Sequence, residues 1–189
     1  MMATKYATLQ QLEVWNRNYD GALALAAKTP DVPNRLPTVI IPVGNIQKNT
    51  DLGFIQLYRG DKANAEKAFT AARTELEGLR TANGDNADFY RDESFILGGL
   101  GQHAEAVEAA RKATTLSRED DFILNLSEIY AHFGDADLAF ETMQKLIDKP
   151  NAGQQLCVAA LRHDPIWDPI RKDPRFEKAI ASLAAKEAK

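Results

Sequence analysis

Small and apolar residues recur along this chain at intervals of three and four, the period of a helix with one buried face. Ala65, Phe69 and Ala72 stand at i, i+4 and i+7, and the spacing returns at Ala106, Ala110, Ala113 and at Ala139, Met143, Leu146. Five residues before each leading alanine comes a glycine: Gly60, Gly101 and Gly134. Seven residues before each glycine comes another small residue: Gly53, Ser94 and Ser127. Leu52, Ile55 and Tyr58 carry the helical period ahead of the first of these glycines, and Leu76 and Leu79 carry it beyond.

The pattern describes helical hairpins. A glycine ends the first helix because it adopts the left-handed conformation of a helix stop. Asp61 and Asp135 follow two of the glycines, placed to cap the second helix. The small residue on one helix and the alanine on the other let two backbones approach, while Phe69 and Met143 fill the space between neighbouring hairpins. The expected fold is all-α, one domain over residues 1–189, with repeats at about 46–80, 87–117 and 120–149. An earlier degenerate hairpin is expected at about 4–28, with Trp15 before its turn and Tyr19 and Ala22 after it. A helical cap follows at about 151–187.

The leading alanines lie 41 and then 33 residues apart. The surplus in the first interval falls in TELEGLRTANGDNADFY, which predicts a second helix extended to about Leu79 and a turn through Asn83-Gly84-Asp85. The prolines of PDVPNRLPTVIIP separate the first hairpin from the rest. Within that stretch Val39-Ile40-Ile41 reads as a short strand or as the approach to the next helix, the second being favoured with Pro42 in its first turn.

Composition narrows the function. With 23 basic and 27 acidic residues the net charge is −4, which leaves no basic footprint for nucleic acid. No apolar run reaches the roughly 20 residues of a membrane helix. The start MMATKYATLQQLEVWNRNYD lacks the apolar core and cleavage site of a secretory leader, so the cytoplasm is the favoured compartment. Whether the chain stands alone or is cut from a longer one stays open. The single cysteine, Cys157, excludes an internal disulfide and a cysteine-rich zinc site, and in LCVAAL it reads as a buried thiol.

LGFIQLYRGDKANAEKAFTAA, SFILGGLGQHAEAVEAARKA and LSEIYAHFGDADLAFETMQKL resemble tetratricopeptide repeats. The resemblance implies a right-handed α–α superhelix of antiparallel helix pairs that binds a protein or peptide. The tail LRHDPIWDPIRKDPRFEKAI is similar to the closing segment of such repeats in bacterial signalling proteins of the adenylate-cyclase-like, kinase-like and winged-helix kinds. There an LxxDPxWDPLRxDPRF stretch caps the stack. Leu161, Asp164, Pro165, Trp167, Asp168, Pro169, Arg171, Asp173, Pro174, Arg175 and Phe176 match it, with Ile170 in place of leucine. A stack leaves an apolar face open at its end. Trp167, Ile170 and Phe176 are expected to cover it, with the three Asp-Pro pairs starting short helical pieces.

Candidates for chemistry are sparse. His103 falls in a slot for a packing aromatic, His132 on a groove-facing position, and His163 beside Asp164, with Asp168 and Asp173 beyond. The run Gly98-Gly99-Leu100-Gly101 lacks the strand and the Lys-Ser or Lys-Thr ending of a phosphate loop. Neither Gly-x-Ser-x-Gly nor His-Glu-x-x-His occurs. Asn125-Leu126-Ser127 matches a glycosylation sequon but falls within an expected helix. No catalytic residue, metal site or cofactor is assigned. A small helical hydrolase or metal-dependent enzyme using His132 or the His163–Asp164 region is the alternative to a binding module.

In tetratricopeptide stacks the first helix of each pair lines a concave groove. The resemblance sends Thr50, Phe54 and Tyr58 there from one repeat, Arg91 and Phe95 from the next, and Leu124, Glu128 and His132 from the third. Phe54 and Phe95 equally suit packing between hairpins. The set lacks the Lys/Arg clamp of a carboxylate receptor, so the expected partner is an extended or helical protein segment. Self-association through the stack ends is a further possible contact.

Overall fold

A computed structural model describes residues 2–28, 43–83, 86–149 and 156–187. Ten α-helices run along these residues: α1 Met2–Trp15, α2 Tyr19–Ala26, α3 Val43–Arg59, α4 Lys62–Asn83, α5 Ala87–Gly99, α6 His103–Leu116, α7 Asp120–Phe133, α8 Ala136–Ile147, α9 Val158–His163 and α10 Pro174–Glu187. A single 3-10 turn, Pro165–Trp167, joins the last two. Consecutive helices pair, and α3, α5 and α7 lie side by side, which makes the chain an α–α superhelix. The stretch 30–42, with Val39-Ile40-Ile41 and Pro42, and the expected turn residues Gly84 and Asp85 lie outside the described residues. The second helix of the longest pair, α4, runs to Asn83, a turn beyond Leu79.

The three glycine turns share one geometry. Gly60, Gly101 and Gly134 sit at φ 90, 74 and 79°. In each, the residue after the glycine donates its N–H to a carbonyl five residues back: Asp61 to Gln56, Gln102 to Leu97 and Asp135 to Tyr130, at 2.8–2.9 Å. This satisfies carbonyls that a helix end leaves open. A fourth turn obeys the same rule without glycine. Arg17 stands at φ 60°, and Asn18 donates to the Glu13 carbonyl at 2.9 Å. Counted from Arg17, Ala22 falls on the leading-alanine position and is fully buried. The first hairpin is therefore a repeat of the same build, hidden in the sequence because arginine occupies the glycine position.

The caps differ from expectation in part. Asp61 Oδ1 accepts the Asn64 N–H at 3.1 Å, as a cap should. Asp135 makes no such bond. Its carboxylate instead accepts Nε2–H of His103 at 2.7 Å, on the neighbouring hairpin. His103 also stacks on Phe133, ring centres 4.2 Å apart. Cys157 is half-buried rather than buried, and its Sγ accepts the Ala160 N–H at the start of α9.

The core follows the small-residue register. Ala65, Ala106 and Ala139 are buried, as are Phe69, Ala110 and Met143 four residues on. Ser127 Oγ donates to the Ala139 carbonyl at 2.9 Å, tying the two close-approach positions of that hairpin together. Phe69 sits between two glycines of different hairpins. A Cβ on Gly53 would stand 2.6 Å from its ring and one on Gly99 2.1 Å from it. A buried side chain of this kind contributes about 1.5–3 kcal/mol, so keeping both neighbours bare has a direct energetic return. Asn125 is buried and donates to Ser94 Oγ at 3.0 Å, which occupies the sequon asparagine.

At the far end Trp167, Ile170 and Phe176 are buried against α7 and α8. Asp164 caps the 3-10 turn through the Ile166 N–H at 3.0 Å, and Asp173 accepts the Arg175 N–H at 2.9 Å. Asp168 works differently: it receives Arg17 Nη2 and Arg171 Nε, each at 2.9 Å. Arg171 also donates to the carbonyls of Leu161, Arg162 and Asp164 at 2.6–2.8 Å, and so fixes the exit of α9.

Candidate functional site

The two ends of the chain meet. Trp15 Nε1–H donates to Asp164 Oδ2 at 3.2 Å, its ring stacks on His163 at 6.3 Å, and Arg17 pairs with Asp168. The N-terminal hairpin thereby reaches the cap, some 150 residues later, and closes the inner face of the first helices into a cavity of about 490 Å³. This volume falls within the range of ligand sites.

Each hairpin contributes the same positions. Six residues before each turn stand Gln11, Phe54, Phe95 and Glu128, and all four line the cavity. Nine residues before the first three turns stand Thr8, Asp51 and Asp92, which line it too. Thr50, Ile55 and Tyr58 of α3 and Asp164 and Ile166 of the cap complete much of the wall. A helix that carries one residue inward carries those three or four places away on the same face.

The expected groove residues therefore divide. Thr50, Phe54, Tyr58, Phe95 and Glu128 line one cavity; Arg91, Leu124 and His132 are not part of its wall. Arg91 pairs with Asp88 at 2.8 Å and Asp92 at 3.2 Å and lies over the Phe122 ring. Leu124 packs against the cap-side core. His132 Nε2–H donates to the Gly98 carbonyl at 3.1 Å, and burial lowers its pKa below the ordinary value. Phe54 both faces the cavity and packs edge-on against Phe69, Phe95 and His132. The two roles weighed for it coexist.

Burial governs the titration of the wall. Glu128 is pushed up to about 8, first by burial and then by the negative charges of Asp164 and Asp121. Asp51 is pushed up to about 6 by burial, against a hydrogen bond from Gln47 at 2.8 Å. Asp92 and Asp164 are raised by burial too, the first opposed by Arg91, the second by the Ile166 N–H, Trp15 and two arginines. Tyr58 is held well above its usual range by burial and by Asp164 and Glu128. The carboxyls lie in a recess with restricted access to water, so their charged forms lose solvation.

No catalytic set assembles around the histidines: His103 bonds Asp135, His132 bonds a backbone carbonyl and His163 stacks on Trp15. Among the described residues no three His, Cys, Asp or Glu side chains are placed to hold a metal ion, and no helix is long and apolar enough to cross a membrane. Asp51, Asp92 and Asp164 were not foreseen as lining residues. The signal for the first two was in the sequence, since each stands nine residues before its turn glycine.

Residues 93–120 match the family model of the tetratricopeptide repeat. The stretch begins within α5, takes in all of α6 and ends at the first residue of α7. Repeats of this kind generally mediate contacts between proteins. No curated protein and no solved structure matches the chain.

Proposed function

We propose that this chain is a binding module without catalytic activity of its own, holding a segment of a partner protein at the inner face of its first helices. The observation that carries the reading is the convergence of one register position from four hairpins (Gln11, Phe54, Phe95 and Glu128) on a single cavity. A stack whose first helices only packed would have no reason to direct that position toward one shared recess. Thr50, Phe54, Tyr58, Phe95 and Glu128 meet the partner, and Arg91, Leu124 and His132 support them from the flanks. The likeness of the tail to caps in bacterial signalling proteins supports a scaffold or regulatory role in signalling, in the cytoplasm.

Site-specific photo-crosslinking tests this. A benzoylphenylalanine replaces Gln11, exposed at the cavity, or Thr74, exposed on α4 away from it. A partner protein is expected to cross-link at position 11 and not at 74. Equal yield at both, or adducts at 74 alone, contradicts the reading.

A further inference from the structure

The cavity has a chemistry that a helical stack does not require. Four carboxyls from four separate elements line it: Asp51, Asp92, Glu128 and Asp164. No lysine, arginine or histidine is among the described residues of its wall. Two of the carboxyls are engaged, Asp92 by Arg91 and Asp164 by Trp15 and the Ile166 N–H. Asp51 accepts the neutral amide of Gln47. Glu128 has no hydrogen-bond or ion-pair partner among the described residues, and the charges acting on it are both negative.

A neutral group points the same way. Thr50 is 7% exposed, lines the cavity, and keeps its Oγ1 without a hydrogen-bond partner. Buried polar groups are ordinarily paired, so such a hydroxyl in the same wall as an unpaired carboxyl marks a place where a donor belongs. The rest of the wall is aromatic and aliphatic: Phe54, Phe95 and Tyr58 with Val14, Ile55 and Ile166. Aromatic faces attract a cation, and aliphatic side chains accept an alkyl stem.

We propose that the cavity receives an alkylammonium group, with Asp51 and Glu128 as its counter-charges and the unpaired Thr50 hydroxyl in the same wall. Its stem lies against Ile55 and Ile166. Glu128 releases its proton to water as the cation enters. The inference rests on the reading of this face as the binding face and names the chemistry that the face selects. A bare metal ion fits less well, because it needs oxygen ligands drawn together at short range, and no such set converges among the described residues. An ammonium on a carbon chain suits carboxyls spread around a cavity of about 490 Å³. Two sources share this chemistry: a lysine side chain of a partner segment and a free aliphatic amine.

The test titrates the full chain with 1,5-diaminopentane, with the blocked peptide Gly-Gly-Lys-Gly-Gly, and with the same peptide acetylated on lysine. Binding is read from amide shifts in α3 and α7 and by calorimetry. At least one ammonium probe is expected to bind and the acetylated peptide is not. Glu128→Gln is expected to weaken binding about tenfold, the scale of losing one charged hydrogen-bond partner. Glu141→Gln, the same change on the exposed surface of α8, is expected to leave it unaltered. Tighter binding of the lysine peptide assigns the group to a protein segment, and tighter binding of the diamine to a small amine. Failure of both ammonium probes, equal binding of the acetylated peptide, or unaltered binding by a folded Glu128→Gln chain overturns the proposal. Cross-linking at position 11 without ammonium binding removes this inference and leaves the binding module. Ammonium binding without protein adducts does the reverse.

Discussion

The middle hairpins and the N-terminal hairpin solve the same turn in different ways. At Gly60, Gly101 and Gly134 the left-handed backbone costs little, and each hairpin rests on local packing of alanines and on Phe69 or Met143. At Arg17 the same backbone, φ 60°, carries a side chain and is strained by about 1–2 kcal/mol. The guanidinium from that position reaches Asp168 in the cap, while Trp15 two residues earlier reaches Asp164. The middle turns serve their own hairpins; the first turn serves the far end of the chain. Strain at Arg17 is offset by contacts that close the cavity, where a glycine would relieve the strain and lose one of them.

Several changes separate these regions. The largest effect is expected from Gly99→Ala, which drives a methyl into the Phe69 ring at 2.1 Å, a ring that is fully buried, and should cost about 3 kcal/mol in urea unfolding. A loss below about 1 kcal/mol would mean that the middle hairpins pack more loosely than described.

The next effect lies where the regions meet. Because the folded pKa of Glu128 is raised to about 8, the folded chain holds a proton that the unfolded chain releases near its ordinary 4.5. Stability therefore falls as pH rises, by about 2 kcal/mol between pH 6.5 and 8, at about 1.4 kcal/mol per unit. His132, whose pKa is lowered, acts in the opposite direction only below its ordinary 6.5, outside that window. Glu128→Gln should flatten the slope in denaturation curves at several pH values; an equal slope in the variant contradicts the assignment.

Exchanging the turns comes third. Gly134→Ala puts a side chain at φ 79° and is expected to lower stability by about 1 kcal/mol. Arg17→Gly exchanges relieved strain for a lost exposed ion pair and a more flexible unfolded chain, and should change stability by less than about 1 kcal/mol, while hydrogen exchange in α1 and α2 quickens. If Arg17→Gly instead leaves that exchange untouched, the pair with Asp168 does not hold the hairpin. Trp15→Phe removes one hydrogen bond to Asp164 and is expected to have a similarly small global effect, under about 1 kcal/mol, seen as exchange in α1 rather than in α5 or α6.

Much of the fold was legible because glycine is the residue a left-handed helix stop demands, and three glycines stood in register with alanines. The N-terminal hairpin was legible only as a degenerate pair, since Arg17 breaks the rule that identified the others. Trp15 carried no sign of its partner: a contact between residues 15 and 164 has no local signature. The cavity was half legible. Thr50, Phe54, Tyr58, Phe95 and Glu128 were expected on the inner face from the resemblance to tetratricopeptide stacks, but Asp51 and Asp92 were not assigned. Only the meeting of the N-terminal hairpin with the far cap places them against a shared recess.

That closure is open to direct measurement. With Cys157→Ser as background, spin labels at Asn16 and Arg162, both exposed, report whether the N-terminal turn lies against the cap. A closed stack gives strong dipolar broadening in the doubly labelled chain, lost when Trp15→Ala and Arg17→Ala are combined. A doubly labelled spectrum equal to the sum of the two singly labelled ones would contradict closure, and with it the acidic cavity.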